Sequence, residues 1–545
     1  MSKLKISKYG IAILCIALYL LLSRISVNAF GIPEYGSDVA FLYNRVDQLR
    51  QIILDGKLLD GFFYNDFQGV GYGSSFFYGY LTLIPFTLIK NYDTFCKVYF
   101  LVTFMLLYIG TKSLVKRFAK NYEFISFLFM TSLQVLHVWL GTTLYCNFMG
   151  LAISFFFLAH VVDFARDNKS HIPASLCFWL ILNTHMISAL LSFISCIFIL
   201  LYYFKKERLK DYVRFAVTTT LFCSFYIANF IYHAQDGVLN TDSGHSAFLA
   251  TKYTNIMFGT SKLLGLEGLV LNIFLEKRYL VLSPLIWIPG IYLFIKKQQK
   301  TKKTYLVLAL CLIGMIFNIE AIWYLLYTKY APVIQFPLRY MMYVVLVLLI
   351  LWFRNIEIPK KLKYALIIIS CIYSIITPWG ISASKPPVVP NWQVSNGEYL
   401  HENFVTDTLV FDDLRTHVYD SNKNDYTYTE DKGVVTIQID KRVPEGKILV
   451  PKLWYKGYRA YTAEGKRLNT RMGYSQFVLV EVGDYQGEIK VFFKQELWLL
   501  LLKVFTYFIM LVGIINYRKN TFTKKQDMCY NNVNNEKGKI SYGID

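Results

Sequence analysis

The chain has 545 residues, of which 55% are hydrophobic, 17% aromatic and only 17% charged. Soluble proteins carry about 25% charged residues, and the deficit lies in long apolar runs such as 11–22, 305–317 and 341–353, too many for one soluble core. The net charge of +20 sits largely in short Lys/Arg clusters between those runs, which points to membrane topology and anionic lipid and away from nucleic acid.

Taken in chain order, Lys3, Lys5 and Lys8 precede the first apolar run, read as a retained anchor rather than a signal peptide cleaved near Ala29. Flanking charges then orient the rest as a polytopic α-helical membrane protein of about 12 transmembrane helices. The expected spans are 10–30, 95–114, 123–141, 147–163, two in 172–204 that turn near His185, 212–233, 279–296, 303–320, 340–354, 362–380 and 497–516. The apolar piece 76–90 is short and is read as an interfacial helix that does not cross. This divides the chain into a transmembrane domain 1–380 with a first outer loop 31–94, an extracytoplasmic segment 381–496, a final helix 497–516 and a cytoplasmic tail 517–545, of which the polar stretch 519–545 is expected to be disordered. The segment 381–496 contains the partly alternating run Val434–Ile439 and turn signals such as Pro444-Glu445-Gly446. It is expected to form a C-terminal, β-sandwich-like domain. The expected location is the cell membrane, multi-pass, with both termini cytoplasmic and the β domain outside.

Eight of the nine cysteines lie in or beside apolar runs and none forms a CxxC pair, so neither zinc nor a redox pair is implied. No Walker loop, Rossmann glycine run or HExxH is present, which leaves nucleotide-driven transport without support. The polar groups that could carry chemistry recur on the expected outer side. Asp38 follows the first run closely and is either a helix cap or a reactive carboxylate at the bilayer surface. Asn44, Arg45, Gln48 and Arg50 follow it. Gly71-Tyr72-Gly73 precedes the aromatic stretch Phe76-Phe77-Tyr78, an interfacial belt or a substrate-facing loop. His185 is either a satisfied core histidine or part of a site. Gln335-Phe336-Pro337-Leu338-Arg339 places an arginine at the outer mouth of a span, where it either snorkels to headgroups or grips a lipid phosphate with its planar fork.

These positions, together with Asn183-Thr184-His185-Met186, Gly397-Glu398-Tyr399-Leu400 and Trp454–Ala460, resemble the GT-C superfamily of membrane glycosyltransferases. The similar branch comprises bacterial proteins called "6-pyruvoyl-tetrahydropterin synthase related", akin to enzymes that glycosylate teichoic acids. The resemblance implies a GT-C-like fold and transfer of one sugar from a polyprenyl-phosphate donor to a cell-wall or cell-surface polysaccharide or teichoic-acid-like acceptor. It implies Asp38 as the catalytic carboxylate, with Arg339, Arg45 and His185 on the donor phosphate. Asn44, Tyr72, Tyr78, Asn147 and Gln335 are then the substrate-binding residues. The family pattern often has a second carboxylate near the outer start of the span containing Asn147, where this chain has Thr142 and Thr143. A lone carboxylate is a poor divalent site, so a metal cofactor has little support. The alternatives are a lipid-linked sugar flippase and a non-catalytic membrane scaffold.

Overall fold

Among the described residues the long apolar runs are helical, the state in which a backbone satisfies its own hydrogen bonds without water. The computed structural model describes residues 7–28, 37–131, 145–235, 338–354, 357–381 and 408–540, with isolated positions 292, 295, 400 and 404. Its helices are α1 (Lys8–Asn28), α2 (Ser37–Leu54), α3 (Ser74–Phe77), α4 (Tyr92–Val115), α5 (Tyr122–Met130), α6 (Tyr145–Asp167), α7 (Ile172–Leu182), α8 (Met186–Tyr202), α9 (Leu209–Ala234), α10 (Leu338–Phe353), α11 (Lys360–Ile381), α12 (Thr408–Leu414) and α13 (Leu497–Ile540). Helix α6 is the centre of the packing, with Ala152, Phe155, Ala159 and Val161 buried. Gly110 of α4 lets the two backbones approach, since a Cβ there would lie 2.6 Å from the Ala152 carbonyl. By contrast α13 turns Leu501, Val504, Phe508 and Ile515 outward, as a lipid-facing helix does.

Among the described residues, four helical segments are long and apolar enough to cross a membrane: Thr94–Val115, Phe148–Asp167, Lys206–Ala234 and Leu497–Lys519. Four other apolar helices are shorter, namely Lys8–Tyr19, Ile172–Leu182, Met186–Tyr202 and Met342–Phe353. This corrects the expected GT-C-like bundle of about 12 spans. Local chemistry explains the shortening. Helix α7 has 11 residues, roughly 16 Å at 1.5 Å per residue, about half the hydrocarbon thickness. It stops where the Asn183 and Thr184 side chains donate to the Trp179 and Leu180 carbonyls, at 2.9 and 2.7 Å. The stretch 76–90 resolves into the end of α3 and a 3-10 helix, Leu81–Leu88, containing Pro85. Eight residues at about 2.0 Å each do not cross a bilayer. The expected spans 279–296, apart from positions 292 and 295, and 303–320, with parts of 10–30 and 123–141, lie outside the described residues.

The C-terminal strands are β1 (Val418–Asp420), β2 (Asp425–Tyr426), β3 (Tyr428–Asp431), β4 (Val434–Ile439), β5 (Lys447–Leu453), β6 (Tyr458–Thr462), β7 (Arg467–Met472), β8 (Phe477–Glu481) and β9 (Gly487–Phe493). They make one antiparallel sheet in the order β2-β1-β5-β8-β7-β6-β9-β4-β3. The expected β domain is present, but as one continuous sheet curled toward a barrel rather than two stacked sheets. Val435, Ile437 and Ile439 point inward and are buried, which is the alternation seen in the sequence. A Lys432-Gly433 turn joins β3 to β4 with both φ values positive, 49° and 72°, as a two-residue hairpin of this hand requires. The tail expected to be disordered instead continues α13 as helix to Ile540; no glycine or proline interrupts 519–537.

Candidate functional site

The first loop and the β domain interlock. Phe62 stacks on Phe493 of β9 with centroids 4.5 Å apart and meets Tyr455 and Tyr458 at 5.7 and 5.8 Å. Gly73 has no side chain because Tyr455 occupies that space: a Cβ there would be 2.4 Å from the ring. Lys452 of β5 is 1% exposed. Its ammonium donates to the Tyr64 and Gly69 carbonyls and pairs with Glu430. Burial holds its pKa below the ordinary lysine value while Glu430 pulls it back up. The Leu453 amide adds a bond to the Val70 carbonyl at 2.9 Å.

These contacts hold a tight loop, 63–72, closed by a bridge between Phe63 and Tyr72. At its tip Phe67 and Gln68 have φ of 55° and 57°, followed by Gly69 at 91°. Left-handed backbone at two successive non-glycine residues costs on the order of 1–3 kcal/mol each and is typical of functional loops. Asp66 helps to hold that turn. Its Oδ1 accepts from the Phe67 amide at 2.7 Å and from Asn44 Nδ2 of α2 at 2.5 Å, and its carbonyl accepts from the Gly71 amide at 2.9 Å. Asp66 is 2% exposed, and its Oδ2 has no hydrogen-bond partner among the described residues. Burial raises its pKa to about 6, against the pull of Asn44, the Phe67 amide and the Arg45 charge.

Arg45 lies one residue along α2 and is 1% exposed. One guanidinium nitrogen donates to the Tyr78 and Gly79 carbonyls, at 2.8 and 2.9 Å. The Phe41 and Tyr78 rings flank the cation at 5.6 and 5.3 Å. Gln48, one turn further on, has a buried Oε1 without a partner among the described residues. Helix α2 thus lines a buried polar seam formed by Asn44, Arg45, Gln48 and Asp66. Lysine at 45 keeps the charge but loses the planar guanidinium held between the Phe41 and Tyr78 rings. Arg45→Lys should loosen the 78–79 turn and lower the melting temperature by several degrees, read by thermal unfolding in detergent; an unchanged melting temperature would show that the planar guanidinium is dispensable.

Of the residues singled out in the sequence, Asn44, Arg45, Tyr72, Tyr78 and His185 fall around this seam. Tyr72 is fully buried, and its ring sits 5.9 Å from that of Phe67. His185 caps α8: its Nδ1 accepts from the Ser188 amide at 3.1 Å, and its ring lies 6.3 Å from Tyr78. Asp38 occupies the first turn of α2, two turns before Arg45, and Arg339 the first turn of α10. Asn147 is in the first turn of α6, and Gln335 lies outside the described residues. No cluster of three metal-binding side chains occurs among the described residues. Asp66 went unrecognised in the sequence. Its signal was the turn-forming Asn65-Asp66 and Gln68-Gly69-Val70-Gly71 between two aromatic runs.

No family model, curated protein or solved structure matches this chain.

Proposed function

We propose that this chain is a membrane glycosyltransferase that moves one sugar from a polyprenyl-phosphate donor to a cell-surface polysaccharide or teichoic-acid-like acceptor. The observation that carries the reading is Asp66: a buried carboxylate, one oxygen unpartnered among the described residues, at the tip of the left-handed turn in the loop that the β domain closes; burial raises its pKa to about 6. An acceptor hydroxyl loses its proton as it attacks, and a carboxylate of raised basicity is suited to take it. Polyprenyl phosphate is itself a good leaving group, so the chemistry needs neither a nucleotide nor a strong acid. Arg45, Arg339 and His185 are the candidates for holding the charge that develops on it.

The arrangement of charge supports a multi-pass protein with this seam outside. Arg166 donates to the Arg117 carbonyl, and Arg208 donates to the Phe164 and Ala165 carbonyls. The basic ends of α4 and α6 and the basic turn before α9 therefore share one end of the bundle. The turn at Asn183 packs against Gly79, at the other end with the seam. Lys/Arg clusters favour the cytoplasm, which supports our reading of the seam and the β domain as outward-facing.

We assign the base to Asp66 and a positioning role to Asp38. Asp38 sits in the first turn of α2, two turns from Arg45 and the 63–72 loop. In single-turnover assays with a polyprenyl-phosphate sugar, Asp38→Asn should retain more activity than Asp66→Asn. The reverse order would return the base to Asp38 and leave Asp66 a turn-forming residue.

A further inference from the structure

A polar pocket that Asp66 does not line lies beside the N-terminal turns of α13. It is lined by Asp60, Ser75, Tyr80, Asn229, Gln495 and Lys503, among others. Lys503 is in the second turn of a helix whose neighbours Leu501, Val504 and Phe505 are exposed and apolar. Yet Lys503 itself is 6% exposed and faces inward. Its ammonium meets the Tyr80 hydroxyl at 3.1 Å and the Leu59 carbonyl at 3.3 Å, with the Tyr80 and Phe225 rings at 5.8 and 5.4 Å. No carboxylate lies within 4 Å of it among the described residues. Asp60 lines the same pocket, but its Oδ1 accepts from the Gln495 backbone N–H at 3.3 Å. The buried Ser75 hydroxyl has no partner among the described residues.

A lysine buried in a membrane-crossing helix is expensive and marks a site for an opposite charge. A buried ammonium with no carboxylate within salt-bridge distance among the described residues suits a phosphate oxygen as its partner. We propose that this pocket takes the phosphate of an anionic lipid head, with Lys503 as the counter-charge and the Ser75 hydroxyl as a donor to a phosphate oxygen. The pocket is small, so the phosphate enters and the acyl or prenyl chain lies along the apolar face of α13. Asp60 opposes the anion and keeps the empty pocket near neutral.

Purified full-length protein in detergent is titrated with dioleoyl phosphatidylglycerol, decaprenyl monophosphate, inorganic phosphate and dioleoylglycerol, with binding read by native mass spectrometry and thermal shift. Saturable binding of a phosphate-bearing probe, weakened about tenfold or more in Lys503→Met and tightened in Asp60→Asn, supports the site. The probe that saturates at the lowest concentration names the source as bulk phospholipid, prenyl phosphate or free phosphate. Equal binding of the uncharged dioleoylglycerol, or phosphate-probe binding unchanged in both variants, overturns it. Because Asp66 does not line this pocket, an Asp66→Asn protein should bind the same probes normally, which separates this site from the transfer reaction.

Discussion

Replacing Asp66 with asparagine should abolish most sugar transfer while leaving the protein folded. Asparagine keeps the size and an oxygen to accept from Asn44 and the Phe67 amide, but it does not accept a proton. General-base catalysis typically contributes about 10²–10⁴-fold, and a loss of that order is expected. The pH profile gives a second readout. With a pKa raised to about 6, Asp66 is ionised above that value, so wild-type transfer should rise with pH through about 6 and then level. Stability runs the other way. A carboxyl whose folded pKa lies above its ordinary value of 3.8 favours the fold when protonated; that contribution is present below about pH 4 and lost as pH rises through about 6. The difference corresponds to about 3 kcal/mol. Asp66→Asn should therefore melt no lower than wild type at pH 7.5, and higher if relief of the buried charge dominates. Such a gain in stability at the expense of activity is expected of a functional residue. A variant that melts well below wild type would instead make Asp66 a structural turn residue.

Truncating Phe62 should uncouple the β domain from the membrane-proximal loop. Phe62 is 2% exposed and lies among Phe76, Phe493, Tyr455 and Tyr458. Removing a buried phenylalanine costs roughly 3–5 kcal/mol. Phe62→Ala should lower the melting temperature and expose 408–493 to limited proteolysis while the spanning helices stay protected. Transfer should fall as well, because the same contacts hold the strained turn at Asp66. Wild-type resistance to protease would mean that Lys452 and the 453–70 backbone bond hold the domain without Phe62.

The sequence made some of this legible and hid the rest for physical reasons. The alternation at 434–439 pointed to a half-buried strand, and the shortness of the apolar piece 76–90 pointed to a segment that does not cross. The seam's α2 side, Asn44 and Arg45, was visible because polar residues recur beside an apolar face. Its other side was not. Asp66 reads as an ordinary turn residue until Lys452 and Leu453, almost 400 residues further along the chain, close the loop over it, and burial of that kind is a tertiary effect with no local pattern. Trp454–Ala460 caught attention as an aromatic motif, yet Tyr455 and Tyr458 prove to be buried against Phe62. The span count failed differently. Apolarity alone does not distinguish a crossing helix from an 11-residue helix ended by Asn183 and Thr184.

The central claim is that this protein transfers sugar from a lipid phosphate using Asp66. It is tested most directly by incubating purified full-length protein with a panel of synthetic polyprenyl-phosphate sugars and cell-wall polysaccharide, and measuring release of free polyprenyl phosphate. The account predicts acceptor-dependent release from at least one donor by the wild type, with Asp66→Asn reduced by about 10²–10⁴-fold. No release from any donor, or release by Asp66→Asn at the wild-type rate, would contradict it.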